Sequence, residues 1–99
     1  MPPALPEIVL ALGEVPFVPY ARPGTRELAE ALKPFVRESK ALILSHHGAV
    51  VWGESLEEAC LLMEQLEHSC KILCFSESMG KTTWLSRREV QKLKYTDPI

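Results

Sequence analysis

No stretch of this chain is long and apolar enough to span a bilayer, and its start, Met1-Pro2-Pro3, lacks the charged segment and apolar run of a secretion signal. Membrane insertion and export are therefore not expected, and a cytoplasmic protein is. Charge of one sign is also scarce: 11 basic against 13 acidic residues leave a formal net charge of -2. Without a Lys/Arg run there is no electrostatic footprint for nucleic acid or an anionic membrane, so neither is expected as a partner. Cysteine is limited to Cys60, Cys70 and Cys74, an odd set within what reads as one helix. That is a poor disulfide framework, and the three are expected to be reduced, buried thiols. Histidine is limited to His46, His47 and His68. A catalytic zinc needs three protein ligands and an open position, so this chain is not expected to complete such a site alone.

What remains is the composition of a soluble globular protein: 99 residues, 46% hydrophobic and 24% charged, enough for one small domain. So short a chain buries a limited core, and its stability is expected to lean on something outside it. Pro2, Pro3, Pro6, Pro16, Pro19 and Pro23 crowd the first quarter, so regular structure there must be short. Residues 7–12 suit a short helix. Val15 to Tyr20 alternates as an extended segment whose prolines confine it to a sheet edge.

Thr25 opens a helix in which Leu28, Ala31, Leu32, Phe35 and Val36 follow the spacing of one buried stripe, and Pro34 predicts an irregularity around Lys33. Ala41-Leu42-Ile43-Leu44-Ser45 is an unalternating apolar run that suits a strand covered on both sides. A polar turn, His46-His47-Gly48, separates it from the strand Ala49 to Gly53. Ser55-Leu56-Glu57-Glu58 is a capping box that starts a long helix, with Leu56, Ala59, Met63, Leu66, Cys70 and Leu73 predicted along its buried stripe. Apolar residues at Cys60, Leu62, Ile72 and Phe75 widen that stripe and predict a second contact surface, such as another subunit. The helix should end between Glu77 and Gly80, and a second capping box, Ser86 to Glu89, opens a short helix carrying Val90 and Leu93.

The one conspicuous cluster is Ser45-His46-His47-Gly48 at the end of a buried strand. Ligands collect in α/β folds at the carboxyl ends of strands, and glycine permits a tight bend that aims a neighbouring imidazole. His47 is thus a candidate metal ligand, while a pair of turn histidines hydrogen-bonded to backbone accounts for the same pattern. In extended backbone His46 and His47 would point to opposite sides.

These residues carry a resemblance. The succession Val15-Pro-Phe-Val-Pro-Tyr20, Pro23-Gly-Thr-Arg-Glu-Leu-Ala-Glu30, Ala41-Leu-Ile-Leu-Ser-His-His-Gly-Ala-Val-Val-Trp-Gly53 and Ser55-Leu-Glu-Glu-Ala59 through His68 resembles the C-terminal half of class II aldolases of the fuculose-phosphate aldolase and adducin-head family. The resemblance implies that residues 1–99 are part of a three-layer α/β/α fold around a mostly antiparallel sheet, with the N-terminal half absent. It also implies a cyclic homotetramer with active sites near subunit boundaries.

By position, His47 is the family histidine that binds zinc, and His46 is not a ligand. The remaining ligands, a His-x-His pair, together with the acid/base glutamate and the phosphate-binding loop, would lie upstream, so no catalytic residue is assigned within this chain. The implied activity is zinc-dependent retro-aldol cleavage of a ketose 1-phosphate, such as fuculose 1-phosphate, to dihydroxyacetone phosphate and an aldehyde, carried out by the full-length enzyme. Pentulose-phosphate 4-epimerases and non-catalytic adducin-like interaction modules are the alternatives within the resemblance. A tyrosine that reaches a neighbouring active site in the family would fall near Glu7, where there is none, and Tyr95 matches a tail tyrosine only loosely.

Overall fold

The computed structural model describes Met1 and residues 3–95, apart from the side chain of Tyr95, so the tyrosine expected to match the family tail lies outside the described residues. The first helix, α1 (Pro6–Leu12), carries its proline at the start, where a missing N–H breaks no helical bond, and it buries Val9 and Leu12. Strand β1 (Phe17–Val18) follows, bounded by Pro16 and Pro19. Helix α2 (Arg26–Leu32) is capped by Thr25, whose hydroxyl accepts the Leu28 N–H at 3.4 Å. It stops two residues before Pro34, where Phe35 N–H bonds Leu32 O at 3.0 Å in a tight turn. The predicted irregularity is therefore a helix end.

Strands β2 (Ala41–Leu44) and β3 (Gly48–Val51) form a hairpin, and the sheet order is β1-β2-β3. The β2–β3 pairing is antiparallel, with Leu44 opposite Gly48. The β1–β2 pairing is parallel, with Phe17 opposite Ile43 and Val18 opposite Leu44. The result is an α/β arrangement with a small mixed sheet, and β1 lies at the edge its prolines require. Pro16 and Val18 contribute carbonyls to the ladder, accepting from Ile43 N–H at 3.0 Å and Ser45 N–H at 3.1 Å. A proline can take part in that way because only its donor is missing.

The long helix α3 (Leu56–Met79) packs on the sheet and on α1, and α4 (Arg87–Tyr95) packs on α1. The main cluster is Leu12, Val15, Ala41, Leu62 and Leu66, flanked by Ile43, Val51, Met63 and Cys70. Both Ala41 and Leu42 are fully buried. Consecutive strand residues face opposite ways, so the start of β2 is covered on both sides, as the apolar run predicts. That cover thins toward the turn, where Ile43 and Leu44 are half-buried.

Three expectations about packing need correction. The buried face of α3 is centred on Leu62, Leu66 and Ser69, and Leu56 is 82% exposed. The helix is apolar on several sides, so its spacing alone does not single out the face that packs. No residue of α2 is buried, and Val36 is exposed. Of the cysteines, Cys60 and Cys74 are exposed and Cys70 is half-buried, all three free.

The start of α3 depends on local bonds. Ser55 Oγ accepts the Glu58 N–H at 3.1 Å, and Glu58 Oε2 accepts the Glu54 N–H at 2.9 Å, one residue further back than in a simple capping box. Gly53 makes room for this: a Cβ there would lie 3.0 Å from Glu58 Cγ and Cδ.

The chain exposes 7625 Å², against about 5,700 Å² for a compact monomer of its 11.1 kDa. Leu61, Phe75 and Met79 on α3, along with Leu10 and Phe17, are among the exposed apolar side chains. No helix among the described residues is long and apolar enough to cross a membrane.

Replacing Ser55 by alanine should lower stability by about 1 kcal/mol through the lost cap. Leu66→Ala should cost about 2–5 kcal/mol, because it opens a cavity against Leu12, Val15 and Ala41. Urea unfolding followed by circular dichroism measures both. A cap variant less stable than the core variant would contradict this account of the packing.

Candidate metal-ligand site at the hairpin tip

The β2–β3 turn is built from Ser45, His46 and His47. Its closing bond runs from His47 N–H to Leu44 O at 3.1 Å. To make this turn His46 takes a left-handed backbone, φ 60°, and it is the one non-glycine residue with positive φ among the described residues. Gly48 also has positive φ, 157°, so the bend expected of the glycine is shared with the histidine two residues earlier. A left-handed backbone costs a residue with a Cβ about 1–2 kcal/mol. The His46 ring packs edge-to-face with Tyr20, centroids 5.7 Å apart and planes at 89°. Such a contact contributes about 0.5–1.5 kcal/mol, comparable with the backbone cost.

The His47 side chain is exposed, and neither ring nitrogen is engaged by another group among the described residues. It borders an open hollow of about 490 Å³ whose other walls include Ile43, Leu44 and Ala49 of the hairpin and Met63, Leu66, Glu67 and Cys70 of α3. His46 borders the same hollow. The backbone at His46 is left-handed, so the extended geometry under which the two side chains would alternate does not apply.

His68 is exposed on α3 and does not border the hollow. The Glu67 carboxylate lies 3.4 Å from Lys71 Nζ in an exposed pair one helical turn apart. Burial, and then the neighbouring Cys74, push the Cys70 thiol above its ordinary pKa. It is therefore protonated at neutral pH, a poor state for a metal ligand or nucleophile. No group of three or more His, Cys, Asp or Glu side chains suited to a metal occurs among the described residues.

The fit to zinc is thus that of one donor. His47 offers an exposed imidazole with no partner among the described residues, and a second and third ligand must come from outside these residues. The sequence reading missed Glu67 and Cys70 as neighbours of the turn. It also missed Tyr20, whose place beside His46 depends on the parallel β1–β2 register and leaves no signal in the sequence.

A larger groove, about 850 Å³, runs among α1, α3 and α4. Its walls are mainly apolar, and among the described residues Glu14 is the one carboxylate residue lining it, so they offer it little acid/base or metal chemistry.

The family model for the class II aldolase and adducin N-terminal domain matches residues 1–74, a stretch that contains the sheet, the hairpin tip and most of α3. The chain belongs to the class II aldolase and adducin family. Within that family it is 44% identical over 71 residues to the 3-oxo-tetronate 4-phosphate decarboxylase of Escherichia coli K12, covering 72% of this chain and 34% of the relative. It is 39% identical over 67 residues to the L-fuculose phosphate aldolase of Haemophilus influenzae, covering 66% of this chain and 31% of that enzyme. Among solved structures, Escherichia coli YgbL, described as a candidate aldolase/epimerase/decarboxylase, superposes with a TM-score of 0.82 at 36% identity, over 95% of this chain and 45% of its own. The chain therefore spans from 31% to 45% of the length of these class II aldolase relatives.

The thiols test the packing around the site. At neutral pH Cys60 and Cys74 should be alkylated by iodoacetamide before Cys70, and raising the pH should accelerate Cys70 as its thiolate forms. Peptide mass spectrometry gives the order, and Cys70 reacting first would contradict it.

Proposed function

We propose that residues 1–99 form the C-terminal portion of a class II aldolase-type domain, and that the full-length protein cleaves the carbon–carbon bond one atom removed from the ketone of a phosphorylated sugar acid or sugar. The leading reading is decarboxylation of a 3-oxo acid phosphate. What supports it over the fuculose-like aldolase expected from the residues is the degree of likeness, 44% to the decarboxylase against 39% to the aldolase. Retro-aldol cleavage of a ketose 1-phosphate is the second reading, favoured by the latter relative.

The two reactions share one electronic problem. In a four-carbon 3-oxo acid phosphate the bond from the carboxylate to its neighbour breaks, carbon dioxide leaves, and the electron pair spreads onto the ketone oxygen. In a ketose 1-phosphate the bond beyond the third carbon breaks, an aldehyde leaves, and the pair spreads in the same way. Each leaves the enediolate of dihydroxyacetone phosphate, which a proton on carbon completes. Zinc, when bound, would supply Lewis-acid stabilisation of that oxygen's negative charge.

In this chain His47 is assigned as one zinc ligand. Supporting this, His47 is exposed and borders an open hollow whose walls include Met63 and Leu66, so ligands and substrate from elsewhere in the protein could reach it. The further ligands, the acid/base and the phosphate site are assigned to the part of the protein outside this chain. A cytoplasmic homotetramer is the assembly this reading carries, and the exposed apolar side chains of α3 support a further packing surface.

Metal analysis and assays of the full-length protein test the reading. Stoichiometric zinc is expected, and dihydroxyacetone phosphate should form faster from a 3-oxo acid phosphate than from ketose 1-phosphates. His47→Ala should release the metal and lower kcat/KM by more than about a hundredfold, since changing residues behind a ligand already costs about 10–100-fold. A protein without metal would favour the adducin-like module, and zinc retained by His47→Ala would remove this residue from the site. Conversion of a pentulose phosphate to its 4-epimer without net cleavage would favour the epimerase.

The isolated 99 residues should be inactive and should self-associate, because β3 presents an unpaired edge beside exposed apolar side chains. Gel filtration with light scattering measures this. An active, monodisperse monomer would contradict it.

A further inference from the structure

We propose that Tyr20 is a positioning residue for His47, acting through His46. The inference rests on the reading of His47 as a ligand and adds a residue that this reading does not contain. Val18 and Leu44 are register partners in the parallel β1–β2 pair. Both chains run the same way, so the residues two further along, Tyr20 and His46, arrive side by side just beyond the ladder. The bond from Ser45 N–H to Val18 O still ties the segments together between them.

The rings meet there, edge to face at 5.7 Å. His46 is also the residue whose left-handed backbone makes the turn, and His47 follows it by one peptide bond. If His46 φ returned to negative values, the direction of the next residue would swing. Holding the His46 ring therefore holds the aim of His47. The Tyr20 hydroxyl makes no hydrogen bond among the described residues, so the contribution lies in the ring. Without it the turn would sample other conformers, and metal affinity would fall in proportion to the population that still presents His47.

The test is zinc affinity of the full-length protein, measured by competition with a chromophoric chelator using zinc alone. Tyr20→Ala and Tyr20→Leu should each weaken binding roughly three- to tenfold, the range an edge-to-face contact can supply, and Tyr20→Phe should stay within about 1.5-fold of the parent. Glycine takes the left-handed conformation freely, so in a His46→Gly background Tyr20→Ala should cost less than about 1.5-fold. A merely structural role for Tyr20 would not be suppressed in that background. Because Tyr20 is 61% exposed, the alanine variant is expected to fold, and the leucine variant carries the test if it does not. The inference is overturned if Tyr20→Ala binds zinc like the parent, or if Tyr20→Phe is as weak as Tyr20→Ala. His47→Ala separates the two levels: zinc retained by it overturns the ligand assignment and this inference together, whereas zinc lost by it with Tyr20→Ala unchanged overturns this inference alone.

Discussion

Strand β2 is held on both edges by ladders and, at Ala41 and Leu42, on both faces by packed side chains. That fourfold constraint is what the rest of the structure is arranged around. A strand so enclosed cannot slide by one residue, because a slip would send every apolar side chain to the opposite face. It leaves the core at a fixed point, Leu44, and the next three residues must reverse the chain before β3 pairs at Gly48. The position of His47 follows from that reversal. The imidazole stands on a rigid base at a place where its surroundings are open, a combination suited to a ligand that must meet partners from elsewhere.

The hairpin carries one ligand-quality nitrogen and one half-apolar wall. On the proposed reading that is a contribution to a site, in keeping with a chain that spans less than half of the relatives it matches. The surface tells the same story in another currency: an area well above that of a compact monomer of this mass, with Phe75 and Met79 on the far end of α3 exposed. Decarboxylation and retro-aldol cleavage differ in what leaves and agree in what is left behind, a carbanion conjugated to a ketone. One fold can serve both, provided the charge on that oxygen is stabilised and the leaving group is accommodated.

Much of the local structure was legible. The short first helix, the Thr25 cap and the ends of the long helix lie where their residues predict, because each is decided by groups within a few positions of one another. Ser55 and Ser86 accept the N–H three residues on, as expected of caps. Pro34 ends α2, for want of a donor and of room for its ring. The buried centre of β2 and the polar turn were legible from hydrophobic pattern alone. Less was legible where several faces were equally apolar. On α3, Leu62 and Ser69 are buried while Leu56 and Phe75 are exposed, and nothing in their spacing distinguishes them. The thiols follow the same rule, since which of them is half-buried depends on the angle at which the helix meets the sheet.

By itself, then, the order of residues determined the elements, their caps, the hairpin and the family, all of which rest on neighbours in the chain or on a pattern held across it. Tertiary structure alone decided the parallel pairing of β1 with β2, the face α3 turns inward, the sharing of one hollow by His46 and His47, and the meeting of Tyr20 with His46. Those four depend on distances between residues far apart in sequence. Such distances are set by how completed strands and helices fit against one another, and no short-range preference of the chain specifies that fit.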